Sequence, residues 1–399
     1  MYNSADLDQE LPALRSSLTV AMVTETYPPE INGVALTLAR LANALERRAH
    51  RVQLIRPRQI AAHLPVSREH FQEVLVPGIP IPRYKGLRIG LPAGRALAQL
   101  WKVRRPDVVH VATEGPLGWS ALAAAHRLKL PVASGFHTNF HRYSAHYGFG
   151  FLGRPIARYL RRFHNKAQAT MVPTTSLKRE LEAGGYRNVR VVSRGVDARL
   201  FDPARRSELL RRSWGANEAC VVALHVGRLA PEKNLRLVMR AVEAMRAAHP
   251  QLRMVWVGDG PERAAMQRAL PGHVFAGMRT GEDLASHYAS ADLFLFPSTT
   301  ETFGNVTLEA MASALAVIAY DYAAAAQHIK HGVSGLLAPL GDEAAFVRHA
   351  IDTVVSAPQL ARLRHCARET ALRLDWENVY GDYERVLLDV MHQQDHARV

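Results

Sequence analysis

Short apolar runs recur along this chain, each followed by a loop with breaker residues and then by a helix-periodic segment. No other feature restricts its fold so tightly. The stretch LTVAMVTETYPPEINGVALTLARLANALERRAHRVQLIRP reads as strand, loop, helix, strand. Residues 18–24 are apolar and β-rich, Pro28, Pro29 and Asn32-Gly33 break the chain, and Val34, Leu38, Leu41 and Leu45 return at helical spacing. Residues 107–112, 131–134 and 169–173 are further runs of this kind, with helical segments between them. Strands buried on both faces and joined by helical crossovers predict a parallel sheet covered on each side.

The pattern relaxes around residues 194–218 and then restarts with apolar runs at 220–226, 252–257, 292–296 and 315–320. At 399 residues the chain can hold two α/β domains, each with its own core. The reading is two doubly wound domains, 1–195 and 196–375. No apolar run approaches the roughly 20 residues needed to span a bilayer. The first 17 residues are mixed in charge and lack an apolar signal core, which predicts a cytoplasmic protein. Cys220 and Cys366 are the only cysteines, too few for a disulfide framework or a zinc site; buried thiols are expected.

In open parallel sheets ligands bind beyond the carboxyl ends of the strands, so the loops after strands matter most. Four stand out. The loop 25–33 ends in Asn32-Gly33 directly before a helix, where backbone N–H groups can approach an anion; an ordinary turn with a helix cap is the alternative. GRLAPEKN after 220–226 places Arg228 and Lys233 where two cations can neutralise a diphosphate, or can simply be solvated. GFHTNFHRY after 131–134 gathers His137, Asn139 and His141. It lacks the carboxylate or thiolate a metal site would add, and one histidine hydrogen-bonding a sugar hydroxyl is the better reading. Finally, STTETFGNVTLEAMA puts Glu301 and Glu309 on either side of a helix starting near Asn305. Acids there either offset the helix dipole or grip hydroxyls around a phosphate held by Phe303, Gly304 and Asn305 amides.

VGRLAPEKN and the Glu-X7-Glu element ETFGNVTLE, with RGVD at 194–197 and the Asn32-Gly33 loop in matching positions, resemble the GT-B-fold retaining glycosyltransferases of glycosyltransferase family 4. The resemblance spans nearly the whole chain, from Leu18 on. It implies two Rossmann-like domains facing a central cleft, with the nucleotide-sugar donor on the second domain and the acceptor on the first. It also implies that the segment 376–399 crosses back onto the first domain. Residue by residue, it makes Arg228 and Lys233 the diphosphate clamp, Glu309 the ribose ligand and Glu301 a donor-sugar ligand. Amides around Phe303, Gly304, Asn305 and Gly33, beside Asn32, would meet sugar and phosphates, and His137 resembles the active-site histidine beside the donor sugar. The resemblance implies GDP-mannose or a UDP-hexose as donor and leaves both open. The chain departs from the family at Ala314 and Ala316, where many members have glycine and proline, and at Gln327, where a glutamate is frequent.

The implied reaction is hexosyl transfer with retention, by a front-face route since no carboxylate nucleophile is evident. No metal is required in this reading: Arg228, Lys233 and the helix start supply the positive charge, and the only Asp-X-Asp, Asp6 and Asp8, precedes the first strand. A nucleotide-sugar epimerase or phosphorylase on the same fold is the alternative. The charge points to the acceptor. Of 50 basic and 36 acidic residues, 28 and 12 lie in residues 1–195, so the chain's excess of +14 resides entirely there. No nucleic-acid-binding motif accompanies it. The segment 147–167 sets Ile156, Tyr159, Leu160 and Phe163 on one face of a helix starting near Pro155, with Arg154, Arg158, Arg161, Arg162 and Lys166 mostly elsewhere. The expectation is a peripheral enzyme on the anionic inner face of the cytoplasmic membrane, glycosylating a lipid or lipid-linked glycan.

Overall fold

The structure, a computed structural model, describes residues 17–30, 32–60, 62–80, 88–137 and 153–396. The apolar runs read from the sequence become strands. β1 (Thr19–Val23), β2 (Arg51–Pro57), β3 (Ser67–Arg68), β4 (Phe71–Val76), β7 (Val108–Val111), β8 (Val132–Gly135), β9 (Ala169–Val172) and β10 (Val189–Val191) form one sheet. Its order is β10-β9-β8-β7-β1-β2-β4-β3, built from parallel pairs with β3 antiparallel at one edge. A hairpin of β5 (Gly78–Pro80) and β6 (Arg88–Gly90) stands apart from it.

The second sheet comprises β11 (Val222–Val226), β12 (Arg253–Val257), β13 (Val274–Gly277), β14 (Leu293–Phe296), β15 (Ala316–Tyr320) and β16 (Leu336–Ala338). It is parallel throughout, in the order β13-β12-β11-β14-β15-β16. One face packs Leu224, Phe294 and Val317 against Leu308 and Met311, and the other packs Trp256, Leu295 and Ile318 against Val238, Met245 and Phe346. That division follows the strand pleat, because successive side chains point to opposite faces.

The chain falls into two compact units, Met1–Ser134 with Leu387–Val399, and Gly135–Val386. Among the described residues no helix is long and apolar enough to cross a membrane. The basic helix runs over Gly153–His164, in keeping with the expected start near Pro155. Two expectations need correction. Leu160 and Phe163 are buried as predicted, but Tyr159 is 42% exposed among the arginines, because the apolar stripe is narrower than periodicity suggested. Both cysteines are free, and only Cys220 is buried; Cys366 lies half-exposed on a helix.

Candidate active site

The second sheet reverses its strand order at β11, which pairs with β12 on one side and β14 on the other. Connections therefore leave β11 and β14 in opposite directions and open a crevice between their following loops. This topology brings GRLAPEKN and STTETFG together across 68 residues of sequence: Lys233 Nζ forms an ion pair with Glu301 Oε1, and both side chains are largely buried. Ser298 Oγ donates to the same oxygen at 2.7 Å, and the Lys233 ammonium lies 5.6 Å from the Phe296 ring centroid. Burial pushes the Glu301 carboxyl up, yet Lys233 and Ser298 outweigh it and leave the group below the usual carboxylate range. Arg228 is more open, 41% exposed, with Nη1 3.9 Å from the buried Glu232 carboxylate.

Beneath the pair lies His225, fully buried between Trp256 and Phe296. Its Nδ1 is 3.0 Å from the Leu295 carbonyl oxygen, an acceptor that fixes the proton on Nδ1. Burial above all, with Lys233 adding to it, lowers its pKa to about 4, so the ring is neutral and does not repel the Lys233 ammonium.

The helix Asn305–Ala312 begins at Gly304, whose φ of 88° and ψ of 64° suit glycine, and no side chain caps it. Asn305 Oδ1 instead accepts from Arg194 Nη1 at 3.2 Å, and Arg194 Nη2 lies 3.5 Å from His137 Nδ1. The Arg194 guanidinium sits 5.4 Å from the centroid of the buried Phe303 ring. Burial lowers its pKa to about 10 against the pull of Glu301, so it remains a cation at neutral pH. Glu309, about one turn into the helix, accepts from the Tyr288 hydroxyl at 2.9 Å. The unit Gly135–Val386 thus carries His137, Arg228, Lys233, Glu301, Phe303, Gly304, Asn305 and Glu309. Arg194, Ser298 and Tyr288 join them without having been picked out as site residues; only RGVD had marked the position of Arg194. Gln327 accepts from the Thr175 amide and donates to Ser193 Oγ, each at 3.0 Å, a two-way role that a carboxylate could not fill.

Asn32 and Gly33 lie in the other unit, at the switch point of the first sheet, where β1 pairs with β2 and β7. Asn32 Oδ1 accepts from the amides of Val34 and Ala35 at 3.1 and 2.8 Å, so its side chain caps its own helix, Gly33–Arg47. Glu25, which sequence reasoning passed over, accepts from the Leu117 amide at 3.1 Å, at the start of the helix Pro116–Arg127. Burial, with Glu114 adding to it, raises its pKa to about 7 despite that bond. Asn139 and His141 fall outside the described residues.

The model "Glycosyltransferase Family 4" matches residues 31–200, and "Glycosyl transferases group 1" matches residues 220–355. A GDP-mannose-dependent alpha-mannosyltransferase of Mycobacterium tuberculosis is 35% identical over 373 residues, 92% of this chain and 96% of that protein. The chain belongs to glycosyltransferase family 4. An alpha-monoglucosyldiacylglycerol synthase of Streptococcus pneumoniae is 28% identical over 76% of this glycosyltransferase and 71% of its own length. A sucrose-phosphate synthase from Thermosynechococcus elongatus has the same fold, with a TM-score of 0.74 at 18% identity over 96% of this chain and all of that one. So does Anabaena HepE solved with UDP, with a TM-score of 0.74 at 19% identity over 93% of this chain and all of that one. The expected GT-B fold is therefore correct, and the glycosyltransferase is a hexosyltransferase. These relatives are transferases, so the epimerase or phosphorylase alternative gains nothing from them.

Proposed function

We propose that this hexosyltransferase moves mannose from GDP-mannose to a hydroxyl of a lipid or lipid-linked glycan. The observation that carries the reading is the Lys233–Glu301 pair set beside the uncapped start of the Asn305–Ala312 helix. A diphosphate there would accept from the free amide end of the helix and from Lys233 and Arg228. Glu301 would turn to the sugar hydroxyls and Glu309 to the ribose, while Arg194, through Asn305 and His137, would steady the sugar side. The reaction breaks the bond from the anomeric carbon to the diphosphate and forms one to the acceptor oxygen on the same face. The acceptor proton passes to the departing diphosphate oxygen. Charge grows on that oxygen as the bond breaks, and the two cations and the helix start that hold the donor stabilise it. Turnover is therefore expected to persist in chelator.

The GDP-mannose dependence of the mycobacterial relatives supports the base and sugar. Calorimetry with GDP and UDP tests it: tenfold tighter GDP binding is expected, and the reverse order would replace mannose by a UDP-hexose. The acceptor reading rests on the diacylglycerol-linked product named for one relative and on the basic helix Gly153–His164, whose Arg154, Arg158, Arg161 and Arg162 are exposed. Each cation near an anionic surface adds up to about 1 kcal/mol. Arg161 also donates to the Gly184 carbonyl, so Arg154, Arg158 and Arg162 form the cleaner test set. Sedimentation with anionic vesicles is expected to fall as salt rises and to weaken when these three become Glu. Equal recovery with neutral and anionic vesicles at low salt would leave a soluble acceptor as the better reading.

A further inference from the structure

A phenol with no access to solvent closes on the Glu309 carboxylate. Tyr288 belongs to the helix Gly281–Ala289, is fully buried, and donates to Glu309 Oε2 at 2.9 Å. Its ring is held edge-on by Phe201 at 5.5 Å and against Phe294 at 5.9 Å, so neither the ring nor its hydroxyl can swing away. The helix that carries Tyr288 enters β14, and the helix that carries Glu309 leaves it after the loop of Ser298 and Glu301, so the bond closes across the strand that organises the site. Burial first, and then the Glu309 charge, raise the phenol pKa well above its usual value, so it remains a donor throughout the working range.

Buried tyrosines usually find a partner, and a backbone carbonyl would serve. Here the partner is a half-buried carboxylate on the helix that follows the loop of Ser298 and Glu301. A carboxylate offers about four acceptor positions, more than Tyr288 alone can fill. Holding the side chain in one rotamer beforehand removes an ordering cost that would otherwise fall on ligand binding. We propose that Tyr288 is a positioning residue for nucleotide recognition: its buried hydroxyl fixes the Glu309 carboxylate so that it meets the ribose hydroxyls and rejects 2′-deoxyribose. This rests on reading Glu309 as the ribose ligand.

Tyr288→Phe keeps the ring and deletes one oxygen, so the packing around Phe201 and Phe294 is retained. Calorimetry with GDP and 2′-deoxy-GDP, and with UDP and 2′-deoxy-UDP in parallel, is run on the wild type, Tyr288→Phe and Glu309→Gln. The wild type is expected to prefer the ribonucleotide by about tenfold or more, since a site built to bond a hydroxyl rejects the analogue lacking it. Tyr288→Phe should weaken GDP several-fold, leave 2′-deoxy-GDP within about twofold, and so shrink the preference. A merely structural role would weaken both nucleotides alike and leave their ratio standing, which overturns the inference. Phe201→Leu, which trims one packing partner while Phe294 and the bond to Glu309 still hold the phenol, provides the packing control and should preserve the ratio. If Glu309→Gln keeps the full ribose preference, the ribose assignment itself fails and the inference with it. If Glu309→Gln loses the preference while Tyr288→Phe keeps it, only the role of Tyr288 is lost.

Discussion

The two sheets share one topological device and use it differently. At the switch point of the first, the nearby helix starts are satisfied by the chain itself: Asn32 caps Gly33–Arg47, and Glu25 accepts from the first turn of Pro116–Arg127. At the switch point of the second, the helices Leu235–Ala248 and Asn305–Ala312 begin at Asn234 and Gly304. Both are left-handed, with φ of 53° and 88°, and neither helix start has a side-chain cap. The same local grammar of strand, glycine and helix can close on itself or leave its amides for a ligand. Which outcome holds depends on one side chain near the cap.

The sharpest way to break this contrast is to remove the cations of the second switch point. Arg228→Ala with Lys233→Ala is expected to lower kcat/KM by at least about 10²–10³-fold, since removing even one donor aimed at developing charge has that effect. Full activity in the double variant would remove the clamp. Next comes the division between the acids. Glu309→Ala should weaken bare GDP by about 10–100-fold, whereas Glu301→Ala should spare GDP and lower turnover; calorimetry beside steady-state kinetics separates them, and the opposite pattern would exchange their roles. At the first switch point the expected effects fall on stability. The folded state keeps a proton on Glu25 between its ordinary pKa of 4.5 and about 7. The unfolded chain binds fewer protons in that window, so stability falls as pH rises through it, by up to about 1.4 kcal/mol per pH unit. Glu25→Gln should abolish that slope in denaturant titrations at stepped pH, and an unchanged slope would assign it elsewhere. Smallest is Asn32→Ala, which should cost about 0.5–2 kcal/mol as a lost cap and leave GDP affinity unchanged. A large loss of GDP affinity would show that this loop also holds phosphate.

Much of the fold was legible because buried parallel strands announce themselves as apolar runs, as in CVVALHV and DLFLF. The edges were not: Ser67–Arg68 and Leu336–Ala338 are too short to carry a period, and the hairpin at Gly78–Pro80 has no apolar alternation. Within the site, Lys233, Glu301 and Glu309 were legible because each lies inside a loop-and-helix pattern with chemistry of its own. Arg194 and Tyr288 were not, since their partners Asn305 and Glu309 lie 111 and 21 residues away and only the topology joins them. Tyr159 was misplaced for the opposite reason, because period alone cannot tell how wide a stripe the neighbours will cover.

The Lys233–Glu301 pair also governs how quickly a donor finds its place. A cation already matched to an internal carboxylate projects little field into solvent, so this part of the site offers an approaching diphosphate little long-range attraction. Donor association should then depend less on ionic strength than it would with an unpaired lysine at this position. The attraction is released only when Glu301 turns to the sugar. Charge in this enzyme would therefore act on the residence of the donor more than on its arrival.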